Sequence, residues 1–110
     1  MSRMDVYIDS PAQGDILEIV AYISNSLLAG QAASSIYREI KLKISELADF
    51  PEIYPIIDEE PYNRMKIRSF CVGNYRVFYL CDNETNCVHI IRVLYNRREW
   101  QNIIDITSAE

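Results

Sequence analysis

Val72-Gly73-Asn74-Tyr75-Arg76-Val77-Phe78-Tyr79-Leu80 joins a tight turn to an apolar strand. Gly73-Asn74 is a hairpin-type turn pair, because both residues tolerate the positive φ that a tight reversal needs. Tyr75 to Leu80 then runs apolar on both faces, which a strand does when it lies inside a sheet with both sides covered. A central strand needs neighbours. Downstream, Asp82-Asn83-Glu84-Thr85-Asn86 reads as a second turn and Val88 to Tyr95 as a long strand. Upstream, Arg64-Met65-Lys66-Ile67-Arg68 alternates basic and apolar residues, the period-two pattern of a half-buried strand. Three consecutive antiparallel strands make a meander, and the alternation predicts an exposed sheet face bearing Arg64, Lys66 and Arg68.

The first half supplies the layer that covers the other face. Asp5 to Asp9 reads as a short strand. Ser10-Pro11-Ala12-Gln13 follows, with Ser10 as a helix cap, Pro11 at the first helical position and Gln13 at capping-box spacing. Ile16, Ile19, Val20, Ile23 and Leu27 recur at helical spacing, and Asp15 and Glu18 suit the positive end of the helix dipole. Gly30 closes this helix. A second helix spans about 31 to 49, with the stripe Ala33, Ile36, Tyr37, Ile40, Ile44 and Leu47, until Phe50-Pro51 stops it. The stretch from Pro51 to Pro61 reads as a loop, and Asn96 to Ile106 as a short terminal helix offering Trp100, Ile103 and Ile104 for docking. The expected fold is α+β, in the order β-α-α-β-β-β-α. A helical hairpin packs on one face of an antiparallel meander, in one domain over residues 1–110.

Composition narrows the function. The chain has 110 residues, 49% of them hydrophobic, and a net charge of −5. No apolar run approaches the ~18 residues a membrane span needs. Met1 to Asp5 lacks an apolar signal core, so the expected location is the cytoplasm. Cys71, Cys81 and Cys87 form no C-x-x-C pair, and His89 is the single histidine. That is a poor metal-ligand set, and no cofactor is expected. Charge is unevenly spread: residues 1–60 carry four basic and eleven acidic side chains, residues 61–100 seven basic and three acidic. A basic half of this kind suits either an anionic partner or ordinary ion pairs on a solvated sheet face.

Four stretches carry a resemblance to the RelE/ParE toxin family. They are Asp15 to Ile19 with Tyr22-Ile23, Ile44 to Pro51, Val72 to Tyr79, and Ile91-Arg92-Val93-Leu94-Tyr95-Asn96-Arg97-Arg98-Glu99-Trp100. The last two are the most specific: glycine-(any)-tyrosine-arginine before an apolar strand, and an arginine-rich exit after another. The resemblance implies a bacterial type II toxin, of the kind tied to plasmid stabilization, which halts growth unless a cognate antitoxin binds it. That antitoxin would lay a helix in a groove or add a strand at a sheet edge. Members resembling RelE cut messenger RNA in the ribosome; members resembling ParE poison DNA gyrase and cut nothing. A third kind would bind its antitoxin without being toxic.

Cutting RNA needs a base for the 2′-OH, an acid for the leaving oxygen, and positive charge at the phosphorane-like transition state. By the resemblance, Arg76 matches the family arginine on the central strand. Its alternative role is an ion pair with a helix carboxylate. Arg97 is the candidate for a second family arginine. The tyrosine that cleaving relatives place in the terminal segment has no counterpart after Trp100, which leaves Tyr95 as a substitute or as a strand aromatic that simply packs. Lys66 and Arg68 fit a transition-state clamp or plain anion binding, and Arg64, Arg92 and Arg98 complete a target-binding set. Strand parity places His89 on the face of Tyr95 and opposite Arg92. The incomplete nuclease template and the exit from Arg92 to Arg98 put the chain nearer the gyrase-poisoning side.

Overall fold

A computed structural model describes residues 3–26 and 28–96. The elements are β1 (Asp5–Ile8), α1 (Ser10–Ala21), α2 (Gly30–Glu46), β2 (Arg68–Val72), β3 (Tyr75–Asp82) and β4 (Cys87–Tyr95), with a π-helical turn, Tyr22–Ser26, extending α1. The sheet order is β1-β4-β3-β2. β2, β3 and β4 form the expected antiparallel meander, and β1 joins β4 in parallel, so the sheet is mixed. The expected terminal helix lies outside the described residues.

Each helix has a local cause. Asp9, in extended geometry, is the residue before α1, so Ser10 is already helical and does not act as the cap. Gln13 Nε2 instead donates to the Ile8 carbonyl at 2.8 Å, tying the first turn to β1. α1 turns Ala12, Ile16 and Ile19 into the core, α2 turns in Ala33, Ile40 and Ile44, and Leu47 follows at its end. Tyr37 departs from the expected stripe: it is exposed, with the Lys41 ammonium 5.9 Å from its ring centre. The helices meet Phe70, Val72, Val77, Tyr79, Val88, Ile90 and Val93 on one sheet face. Full burial of each large side chain contributes about 1.5–3 kcal/mol. Gly73, at φ +58°, makes the β2–β3 turn and lets Ile36 Cδ1 approach closely.

The opposite sheet face corrects the sequence reading. Residues 64–66 are turns, not strand, and β2 begins at Arg68. Lys66 has φ +58°, which reverses the chain. The segment closes on itself through Ile57 N–H to the Ile67 carbonyl (2.8 Å) and Ile67 N–H to the Tyr62 carbonyl (3.1 Å). Tyr62 and Ile67, with Ile57 and Met65, then cover Phe78, Ile91 and Leu94. Met65 and Ile67 are apolar because they plug this second core, and their alternation imitates a strand. The expected row of Arg64, Lys66 and Arg68 on an open sheet face is therefore absent. Arg64 pairs with Glu60 at 3.0 Å, one turn away. Arg68 donates to the Tyr54 carbonyl at 2.6 Å and meets the Glu52 carboxylate at 3.3 Å, pinning the loop after α2.

Candidate functional site

The site is organised by an irregularity in β4. Phe78 pairs with Arg92 but Tyr79 pairs with Ile90, so Ile91 is an extra residue in the β3–β4 ladder. A bulge re-aims side chains and breaks strand parity. Here it turns both Arg92 and Val93 toward α1. Asp15 Oδ2 accepts from Arg92 Nε at 2.7 Å and from the Val93 N–H at 2.9 Å, while Oδ1 accepts from Arg92 Nη2 at 2.8 Å. Asp15 is buried. Its hydrogen bonds, aided by the charge of Glu18, hold the Arg92 guanidinium above its usual pKa, so it stays cationic. Arg92, expected to face a target, spends its two-pronged donor set on helix α1.

The same bulge overturns the expected parity of His89 and Tyr95. His89 lies on the face away from the helices, its Nδ1 3.1 Å from Asp9 Oδ1 and its ring stacked on Tyr7 at 5.8 Å. Tyr95 lies on the helix face, edge-on to Tyr75 at 5.9 Å and 77°. Beside them a cleft of about 430 Å³ opens between α1 and the ends of β3 and β4, lined by Asp15, Glu18, Ile19, Tyr22, Tyr75 and Tyr95 among others. Burial, then the neighbouring phenols of Tyr22 and Tyr95, push the Tyr75 hydroxyl up from its ordinary value. That phenol is a hydrogen-bond donor near neutral pH, not a base.

Arg76 sits on the other side of the sheet. Its Nε donates to Ser69 Oγ at 3.0 Å and its guanidinium lies 6.0 Å from the centre of the Phe78 ring. That is the face covered by residues 57–67, not the face of α1 and α2. Arg76 and Tyr95, candidates for one reaction centre, are thus separated by the thickness of the sheet. Arg97 and Arg98 lie outside the described residues. Among the described residues, no group of three His, Cys, Asp or Glu side chains could hold a metal ion, and no helix is long and apolar enough to cross a membrane.

Sequence reasoning missed the Asp15–Arg92 tie and the tyrosine cleft. One signal was available: Asp15 falls one residue before Ile16 and four before Ile19, within the buried stripe of α1, where a carboxylate needs a partner. Tyr22, Tyr75 and Tyr95 carried no such signal, since they are far apart in sequence.

A sequence-family profile described as the ParE toxin of the type II toxin–antitoxin system parDE matches residues 6–100. This chain belongs to the ParE toxin family. No curated protein sequence matches it significantly. Among solved structures, it is similar to a chain of the toxin–antitoxin complex RelBE2 from Mycobacterium tuberculosis. The identity there is 18%, the TM-score 0.57, and the match covers 84% of this chain and 98% of that one. It is also similar to a double arginine-to-alanine mutant of the E. coli toxin RelE in the free state. In that case the identity is 13%, the TM-score 0.68, and 98% of this chain and 99% of the other are covered. These likenesses support the α+β toxin fold. As a ParE-family chain it is the toxin of a type II toxin–antitoxin pair, and its partner is a cognate antitoxin.

Proposed function

We propose that this toxin acts by binding and not by cutting RNA: released from its antitoxin in the cytoplasm, it arrests growth by engaging DNA gyrase. The observation that carries the reading is the separation of Arg76 from Tyr95 on opposite sheet faces, fixed by the pairing of Tyr75 with Tyr95 and of Arg76 with Leu94. RNA cleavage asks for an acid–base group and a cation around one phosphodiester. Arg76 has Ser69 and Phe78 beside it, while Tyr95 has Tyr75 and the acidic wall of α1. The match to a ParE profile supports the same conclusion. The cations available to the target in this reading are Arg64, Lys66, Arg97 and Arg98. Arg64 and Lys66 are exposed on the segment that covers the face of Arg76, and Arg97 and Arg98 follow β4 in sequence.

Expression of the chain without antitoxin tests this directly in cells. Mapping of messenger RNA 5′ ends should show no ribosome-dependent cuts, while gyrase-linked double-strand breaks and the DNA-damage response should rise. Ribosome-dependent cuts appearing before any DNA damage would establish the nuclease reading, and unimpaired growth would establish a non-toxic antitoxin binder.

A further inference from the structure

The cleft between α1 and the ends of β3 and β4 has no part in the proposed attack on gyrase, yet its chemistry is specific. Tyr75 and Tyr95 meet edge to face at its inner wall. Tyr22, 55% exposed, stands at its mouth, carried there by the π-helical turn. Such turns widen a helix locally and re-aim the residues they carry. Glu18 is exposed on the same rim. At the floor, Asp15 is already matched by Arg92. The cleft therefore offers three aromatic rings and one carboxylate directed at solvent.

We propose that this cleft receives an arginine side chain of the cognate antitoxin. A guanidinium is the group that satisfies both features at once, because it stacks on an aromatic face and pairs with a carboxylate through its planar donor fork. An apolar occupant would strip water from Glu18 without giving it a partner. A lysine ammonium would meet Glu18 but lacks the planar surface that tyrosine rings stack against. The occupant comes from the antitoxin because that is the partner a ParE-family toxin has, and because α1, the helix that walls the cleft, carries Asp15 and Glu18 and no basic side chain. Charge complementarity of that kind draws in a basic segment and sets its register. The proposal rests on the antitoxin partnership and is independent of the toxin's target.

The test is a calorimetric titration of the whole toxin with its cognate antitoxin, using Glu18→Gln and Tyr22→Leu. Both positions are exposed, and circular dichroism is used to check that each variant is folded. Each variant should bind roughly 3- to 10-fold more weakly than wild type, and the Glu18→Gln loss should shrink in high salt. Each antitoxin arginine is then changed to alanine in a double-mutant cycle with Glu18→Gln. One arginine should give a strongly non-additive result. Wild-type affinity in both variants, or coupling of Glu18 to an apolar antitoxin position and to no arginine, would overturn the assignment. Because the wild-type toxin is titrated alongside, failure of the cleft is distinguishable from failure of the partnership, and no gyrase enters the assay.

Discussion

Asp15 on α1 accepts three hydrogen bonds from β4, two from the Arg92 guanidinium and one from the Val93 N–H. It thereby locks the helical layer to the strand at its bulge. Removing one partner of a buried pair leaves the other charge uncompensated. Asp15→Ala should cost about 3–5 kcal/mol, and Asp15→Asn, which keeps an acceptor for Val93, about 1–3 kcal/mol. Urea denaturation measures both. A loss below about 1 kcal/mol for Asp15→Ala would mean that the tie is dispensable.

Arg76→Ala should reduce toxicity far more than it reduces stability. Its charged hydrogen bond to Ser69 Oγ, beside the Phe78 ring, puts the expected stability loss at about 1.5–3 kcal/mol, too little to unfold the domain. Growth after induction and the melting temperature, measured on the same variant, decide it. Toxicity falling only in proportion to lost folded protein would make Arg76 structural.

Arg68→Ala should do the opposite. Arg68 is largely buried and donates to the Tyr54 carbonyl at 2.6 Å, so its loss frees the loop after α2. A hydrogen bond from a charged donor contributes about 1.5–3 kcal/mol. Denaturation should show that loss, while the folded fraction of the variant remains as toxic as wild type. Specific loss of toxicity without loss of stability would restore Arg68 to the target surface.

Alkaline pH should destabilise the fold through Tyr79. This side chain is fully buried and its hydroxyl donates to the Pro51 carbonyl at 2.9 Å. Burial pushes its pKa up to about 12. Between its unfolded value near 10 and that folded value, the unfolded chain holds fewer protons, so stability falls as pH rises. The group contributes its full share below pH ~10 and loses roughly 2–3 kcal/mol by pH ~12. Tyr79→Phe should flatten this part of the stability curve. An unchanged slope in that variant would assign the alkaline loss to other groups.

Much of the fold was legible because its determinants are local. The stripes of α1 and α2, the Gly73-Asn74 turn and the apolar run of β3 each report a structural period within one short segment. The misread parts depend on distant partners. Residues 64–67 alternate like a strand because Met65 and Ile67 fill a second core against Phe78 and Leu94, a demand set by residues up to thirty positions away. The parallel docking of β1 on β4 depends on the whole intervening chain. The bulge at Ile91 left no mark in the residue pattern, and it alone inverts the side of Tyr95 relative to His89. Candidate residues could therefore be chosen by type, but not grouped by face. Arg92 looked like a target arginine because its partner, Asp15, is 77 positions away.

Purified components show whether the toxin engages gyrase and leaves RNA intact. The refolded toxin, free of antitoxin, is incubated with gyrase, ATP and supercoiled plasmid, and the DNA is resolved after protease digestion. Linear plasmid should accumulate with toxin concentration, disappear when antitoxin is added first, and persist with Tyr95→Phe, since no acid–base step is required of that hydroxyl. Plasmid left intact by the wild-type toxin, together with cut messenger RNA when the same preparation is added to translating ribosomes, would contradict gyrase as the target.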